Sequence, residues 1–215
     1  MAQVPTGTTF FIASAYATAK TVISVSNAAE AVVGSTAHGY TNGDIVEMSS
    51  GWGRLNKRVY RVKAVAADSF TLEGQDTTNT TFFPAGSGVG TVRKITAQTQ
   101  ITTVMNPQSS GGDPKTVNYK FVESDVEYSI NDGFAATNYT MELDADAIGN
   151  AGYTVLKSLT EVQTDTCLIM VTRSGSKVYQ PCTVALNESI RLQDGQINRV
   201  TCAFSGNNRL TRYAS

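Results

Sequence analysis

His38 is the only histidine in this chain of 215 residues, so any imidazole-dependent chemistry must be built on it and any site needing two histidines is excluded. It stands beside Gly39 at a turn, and no serine sits in a nucleophile-elbow context, so a turn residue is favoured over a catalytic base. Gly86, Gly88 and Gly90 could cradle a phosphate only if a helix followed; Thr91-Val92-Arg93-Lys94-Ile95 reads as a strand, and the glycines mark a loop or bulge. Glu123, Asp125 and Glu127 alternate, which on a strand aims three carboxylates at one face. Such a face repels itself unless something screens it. It fits a solvated outer surface, a negatively charged lining, or a hard-metal site whose further ligands are unspecified. Arg54, Lys57, Arg58, Arg61 and Lys63 place five positive charges in ten residues around Tyr60, but strand alternation scatters them over more than one face, which favours a solvated hairpin or one meeting an acidic neighbour. Trp52, between Gly51 and Gly53, is either a hydrophobic plug or an exposed contact anchor.

Cys167, Cys182 and Cys202 are odd in number and lie in apolar strand-like contexts, which points to buried reduced thiols. No cofactor or metal is expected. Seventeen Lys and Arg against eighteen Asp and Glu give a net charge of -1, which removes the electrostatic basis for broad binding to nucleic acid or an anionic membrane. No apolar stretch approaches the roughly 18–20 residues needed to span a bilayer. Phe10-Phe11-Ile12-Ala13 before Ala15-Tyr16-Ala17 looks superficially like a signal segment, but no basic residue precedes it and Ser and Thr interrupt it, so secretion is not expected.

The elements that must position these residues are mostly strands. Residues 1–9, broken by Pro5 and Gly7, are expected as a mobile arm, followed by a single elaborated domain over 10–215. Strand-like runs occur at Phe10–Ala15, Thr21–Ser26, Glu30–Val33, Asp44–Met48, Val59–Val65, Phe70–Glu73 and Gly90–Ile95, with the turn-rich segment over 35–95. Residues 106–115, NPQSSGGDPK, hold two prolines and two adjacent glycines and are expected as a flexible loop between Ile101–Met105 and Val117–Val122. Further on, Ile148, Ala151, Val155, Leu156, Leu159 and Val162 repeat at helical spacing, and Asp144 or Asp146 can cap the start, so a helix is expected over about 146–162. Gly149 and Gly152 weaken that start, leaving packing to hold it. Strands at Thr166–Thr172, Lys177–Leu186 and Gln196–Phe204 complete the pattern. The fold class is all-β, a sandwich or barrel of short antiparallel strands with one packed α-helix.

The order and spacing of several pieces carry a resemblance: Thr6-Gly7-Thr8, the hairpin block His38–Leu72, the segment Leu72–Thr78, Phe83–Gly88, and the finish Thr211-Arg212-Tyr213. Together they resemble the major tail tube proteins of long, flexible-tailed (siphovirus-type) bacteriophages over nearly all of the chain. The resemblance implies a non-catalytic subunit that forms hexameric rings stacked into a tube in the virion tail, assembled in the host cytoplasm. Its partners would be itself and other tail proteins such as the tape measure, tip and terminator. Genomic DNA would pass through the lumen without specific binding. Within that picture Glu123, Asp125 and Glu127 are expected to face the lumen, where an acidic lining would keep phosphates off the wall. Pro107, Ser109, Gly111, Gly112, Asp113 and Pro114 are the expected ring-stacking loop. The competing reading is a β-rich binding module of a phage tail tip or fibre that recognises a host surface, with Trp52 as its anchor.

Overall fold

Apolar residues at every second position, in short runs separated by Gly, Asn and Asp turns, favour half-buried antiparallel strands over helices. The computed structural model describes residues 6–214, so most of the expected N-terminal arm lies outside the described residues. Within it, Thr6 and Gly7 form a turn and the first strand already begins at Thr9. The strands of the first half are β1 (Thr9–Tyr16), β2 (Lys20–Val22), β3 (Ser24–Val25), β4 (Val32–Gly34), β5 (Ile45–Ser50), β6 (Arg58–Lys63), β7 (Ser69–Leu72) and β8 (Gly90–Ile101). Then come β9 (Val104–Ser110), β10 (Pro114–Tyr119), β11 (Tyr128–Phe134) and β12 (Asn138–Asp144). After the helical segment follow β13 (Thr166–Val171), β14 (Lys177–Arg191), β15 (Arg199–Gly206) and β16 (Thr211–Tyr213).

All but two strands join one antiparallel sheet in the order β3-β4-β7-β6-β5-β8-β1-β13-β14-β15-β12-β9, with β2 added on β8 and β16 on β14. The sheet curls into a half-barrel and does not close. Three apolar clusters fill it, the smallest of them Ala13, Val59, Cys167, Ile169, Tyr179 and Tyr213, and the two largest divide between its halves. One gathers Trp52, Leu55, Tyr60, Phe70 and Leu72 from the hairpin-rich first half, and the other gathers Ile12, Met141, Leu143, Leu168 and Phe204 under the helix. The C-terminal β16 stitches the halves, because the Arg61 N–H donates to the Tyr213 hydroxyl at 2.9 Å.

The helical segment differs from expectation in continuity. A 3-10 turn (Ala145–Gly149), capped by the Asp144 carboxylate accepting from the Asp146 N–H, is separated by extended Asn150 from α1 (Ala151–Val162). Tyr153 and Leu156 are buried, whereas Ile148 and Val162 at the ends of the apolar stripe are exposed. Gly152 has a packing role: a Cβ there would lie 2.4 Å from the Gln100 carbonyl oxygen, so only glycine lets α1 press against β8. Nothing surrounds Gly149. Gly152→Ala should therefore cost about 1–3 kcal/mol by overpacking. Gly149→Ala should be neutral or gain roughly 0.5–1 kcal/mol through a less floppy unfolded chain. Urea unfolding of the two variants tests the contrast, and equal effects at both positions would refute the close-approach argument.

Residues 106–115 are not a long loop. Asn106–Ser110 complete β9, Gly111–Asp113 make the connection, and Pro114 opens β10. Pro107 is tolerated because β9 is an edge strand with a bulge: Thr140 pairs with Gln108 and Glu142 with Met105, leaving Asn106 and Pro107 opposite the single residue Met141. Asn106 takes the left-handed backbone (φ 45) that the bulge needs.

Candidate functional site

β10 and β11 form a two-stranded sheet of their own, bonded to each other and to no other strand among the described residues. The register sets Val117 opposite Ile130 and Tyr119 opposite Tyr128, so these four share one face, while Asn118 and Ser129 share the other. This hairpin is amphipathic, and nothing among the described residues covers its apolar face: Val117 is 53% and Ile130 55% exposed, and Tyr119 and Tyr128 stack on each other with ring centroids 5.4 Å apart. Phe121 closes the aromatic group edge-on at 5.4 Å from Tyr119. An uncovered apolar face of this kind marks a contact surface. From Pro114 to its tip the arm extends roughly 20 Å at strand rise.

Glu123, Asp125 and Glu127 lie in the turn between β10 and β11, all exposed, and not on a strand. The strand face that would have aimed them together does not exist. They crowd instead into the tip of the arm. The Val126 N–H donates to the Ser124 hydroxyl at 3.2 Å and the Ser124 N–H to the Phe121 carbonyl, which shapes the turn. Of the expected stacking-loop residues, Pro107 and Ser109 belong to β9, Gly111, Gly112 and Asp113 form the hinge, and Pro114 starts the arm. Gly111 (φ 78) could not carry a side chain, since its Cβ would lie 2.0 Å from the Ala136 carbonyl oxygen. These residues hold the root of the arm, and the part that reaches outward is residues 116–131. Two apolar runs flanking a polar stretch, Val117–Val122 and Val126–Ile130, were the hairpin signal in the sequence.

The second assembly feature is the outer edge of β9, which no strand covers among the described residues. Its sequence, VMNPQSS, holds no charge, and the edge is interrupted only at its middle by Pro107 and the bulge. Glu142 on β12 anchors it: the carboxylate accepts from Asn106 Nδ2 at 2.7 Å and pairs with Arg199 at 2.9 Å. Those partners, Asn106 first, hold the Glu142 carboxyl below its ordinary value, as the Arg61 guanidinium does for Glu73. A carboxylate depressed in the folded state contributes stability that is complete above its unfolded value and is lost as pH falls through the folded one. Stability should thus hold from neutral pH to about 4.5 and decline below it. Urea midpoints between pH 7 and pH 3 measure this, and a flat profile would contradict it.

The remaining candidates resolve into structural roles. His38 is buried, with Nδ1 accepting from the Tyr40 N–H and Nε2 donating to the Ala66 carbonyl, both at 3.0 Å, so both ring nitrogens are engaged. Trp52 is a plug, 2% exposed, with Nε1 donating to the Pro84 carbonyl at 2.8 Å and its ring edge-on to Phe83. Gly88 lies flat against the indole and Gly90 begins β8, so a strand and not a helix follows the glycines. In the basic run Lys57, Arg61 and Lys63 pair with Asp165, Glu73 and Glu30, which disperses it as the alternation predicts. All three cysteines are free and buried, and burial pushes the Cys182 thiol up to about 12. No group of three or more metal-type ligands converges among the described residues, and no helix is long and apolar enough to cross a membrane.

No curated protein matches the chain. The sequence profile of the family described as phage tail tube protein, TTP, matches residues 50–215, a span that takes in the open edge, the whole arm and the helix. The chain therefore belongs to the phage tail tube protein family.

Proposed function

We propose that this tail tube subunit closes into hexameric rings, that the rings stack into a hollow tube, and that phage DNA travels through the lumen into the host. The observation that carries the reading is the arm: a hairpin with an aromatic, amphipathic face that no other described residue covers. Inside a monomer such a face only raises the risk of aggregation. Between rings it becomes buried contact area. The uncharged β9 edge supports the lateral half of the reading, since strand addition across neighbouring copies would complete the half-barrel and remove the open edge. Lateral contacts that close and axial contacts that do not are the two kinds needed for a tube. The subunit acts as a wall and a conduit and performs no catalysis, it works in the virion tail after assembly in the host cytoplasm, and the tube meets the tape measure, tip and terminator proteins.

Electron microscopy of the purified full chain over rising concentration tests this directly. Rings with sixfold rotational symmetry, growing into tubes, are the expected images. A chain that stays monomeric at every concentration, and also fails to build on isolated tail tips, would overturn the reading and return the arm to a host-surface binding role.

A further inference from the structure

Beside the root of the arm lies a cleft of about 520 Å³ whose walls include Arg54, Arg58 and Arg209, with Asp76 as its acidic member. None of the three arginines is in an ion pair among the described residues. Each guanidinium is instead held over an aromatic ring: Arg54 over Phe82 at 3.3 Å, Arg58 over Tyr60 at 5.1 Å and Arg209 over Phe134 at 4.3 Å. Cation–π contact positions a charge without neutralising it. Arg58 also keeps a buried Nε–H with no acceptor, although its terminal nitrogens reach Gln75 and Thr211. A cleft lined by three guanidiniums that no carboxylate of the described residues neutralises is suited to an incoming carboxylate.

The matching carboxylates are at the other end of the arm. Glu123, Asp125 and Glu127 form no ion pair among the described residues, and Lys120 is the only cation in the tip segment. Gly133 and Phe134 of β11 line the cleft, so tip and cleft are separated by the length of the arm, roughly 20 Å, and cannot meet within one copy. We propose that the acidic tip of each arm docks in the arginine cleft at the arm root of a neighbouring copy. The inference rests on the stacked-ring reading and names the receiving surface within it. A contact between two different patches of one chain is heterologous, and between stacked rings, where its rotation does not close, it repeats along the axis as a tube requires. Like charges pressed together disfavour wrong alignments, so the same pairing sets the register between copies.

Charge exchange tests it on the full-length protein. The tip variant is E123K/D125K/E127K and the cleft variant is R54E/R209E, with Arg58 retained because it also ties Gln75 and Thr211. Each should keep the wild-type unfolding midpoint while raising the concentration needed for tubes about tenfold or more. The variant carrying all five changes, with the attraction restored in reversed sign, should return to within about threefold of wild type. Half-swaps that assemble normally, or a full swap no better than its halves, would overturn the docking. Normal tubes from the tip variant combined with slowed DNA ejection would place the carboxylates at the lumen instead. Failure of the stacked-ring reading looks different, because wild type itself would then form no tubes.

Discussion

Excising residues 116–132 and bridging Lys115 to Gly133 with Asn-Gly yields a folded protein that forms no long tubes. The folding half of this expectation follows from topology. β10 and β11 bond only to each other, their residues are almost all exposed, and none of them belongs to an apolar core cluster. Lys115 pairs with Gly133 in the ladder, so a two-residue turn placed there closes the shortened hairpin in register. Removing the arm takes away backbone ordered at entropic cost and apolar surface that faces water, so the unfolding midpoint should stay within a few degrees of wild type. The assembly half follows from the same exposure. If Val117, Tyr119, Tyr128 and Ile130 are covered only by another copy, deleting them removes that contact outright. Sedimentation and electron microscopy should find rings or monomers at concentrations where wild type gives tubes. Tubes of ordinary length from the excised variant would remove the arm from the assembly account.

Much of the sheet was legible because its strands are amphipathic against a core that the same chain supplies. β1, β5, β6, β7, β13 and β14 fall where alternation and flanking turns put them. The arm was misread for the opposite reason: its alternation is as regular, but nothing among the described residues covers its apolar face. The sequence therefore shows two strand-like runs without saying that they leave the sheet. The carboxylates were misplaced through the same segment, since a period of two implies a strand face only if the residues are extended, and here they turn. Residues 106–115 look like a loop because Pro and Gly interrupt ladders in general. A bulge on an edge strand is the setting in which Pro107 disturbs nothing. Tyr139, Met141 and Leu143 alternate clearly and announce β12, a signal that attention to Asp144 as a helix cap obscures. Trp52 could be settled only in three dimensions, by the Pro84 carbonyl that takes its indole N–H.

Arg93→Ala should destabilise the subunit by about 2–4 kcal/mol, somewhat less than a fully buried ion pair, because Glu47 is buried while the Arg93 side chain is 32% exposed. Arg93 on β8 sits directly opposite Glu47 on β5, and its Nε and terminal nitrogen grip the carboxylate at 3.2 and 2.9 Å. The same guanidinium donates to the Asp165 carbonyl at 3.1 Å, just before β13, and lies 3.9 Å over the Tyr16 ring at the end of β1. One side chain thus ties β5 and β8 to the end of β1 and the start of β13, beside the apolar cluster of Ala13, Val59, Cys167, Ile169, Tyr179 and Tyr213. Glu47 is buried, and burial pushes its carboxyl above the ordinary value while Arg93 pulls it down. Without Arg93 the upward push of burial dominates. An acid raised in the folded state binds its proton more readily there than when unfolded, so the variant should recover stability as pH falls from 7 toward 5, a trend that mere loss of packing would not produce. The double variant Glu47→Leu, Arg93→Met removes both charges and should regain most of the loss, because the cost lies in the orphaned carboxylate more than in the absent attraction. Urea unfolding of the single and double variants at pH 7 and pH 5 separates these terms. A single variant within about 1 kcal/mol of wild type, or a double variant worse than the single, would mean that this junction is held by packing and that the pair is incidental to it.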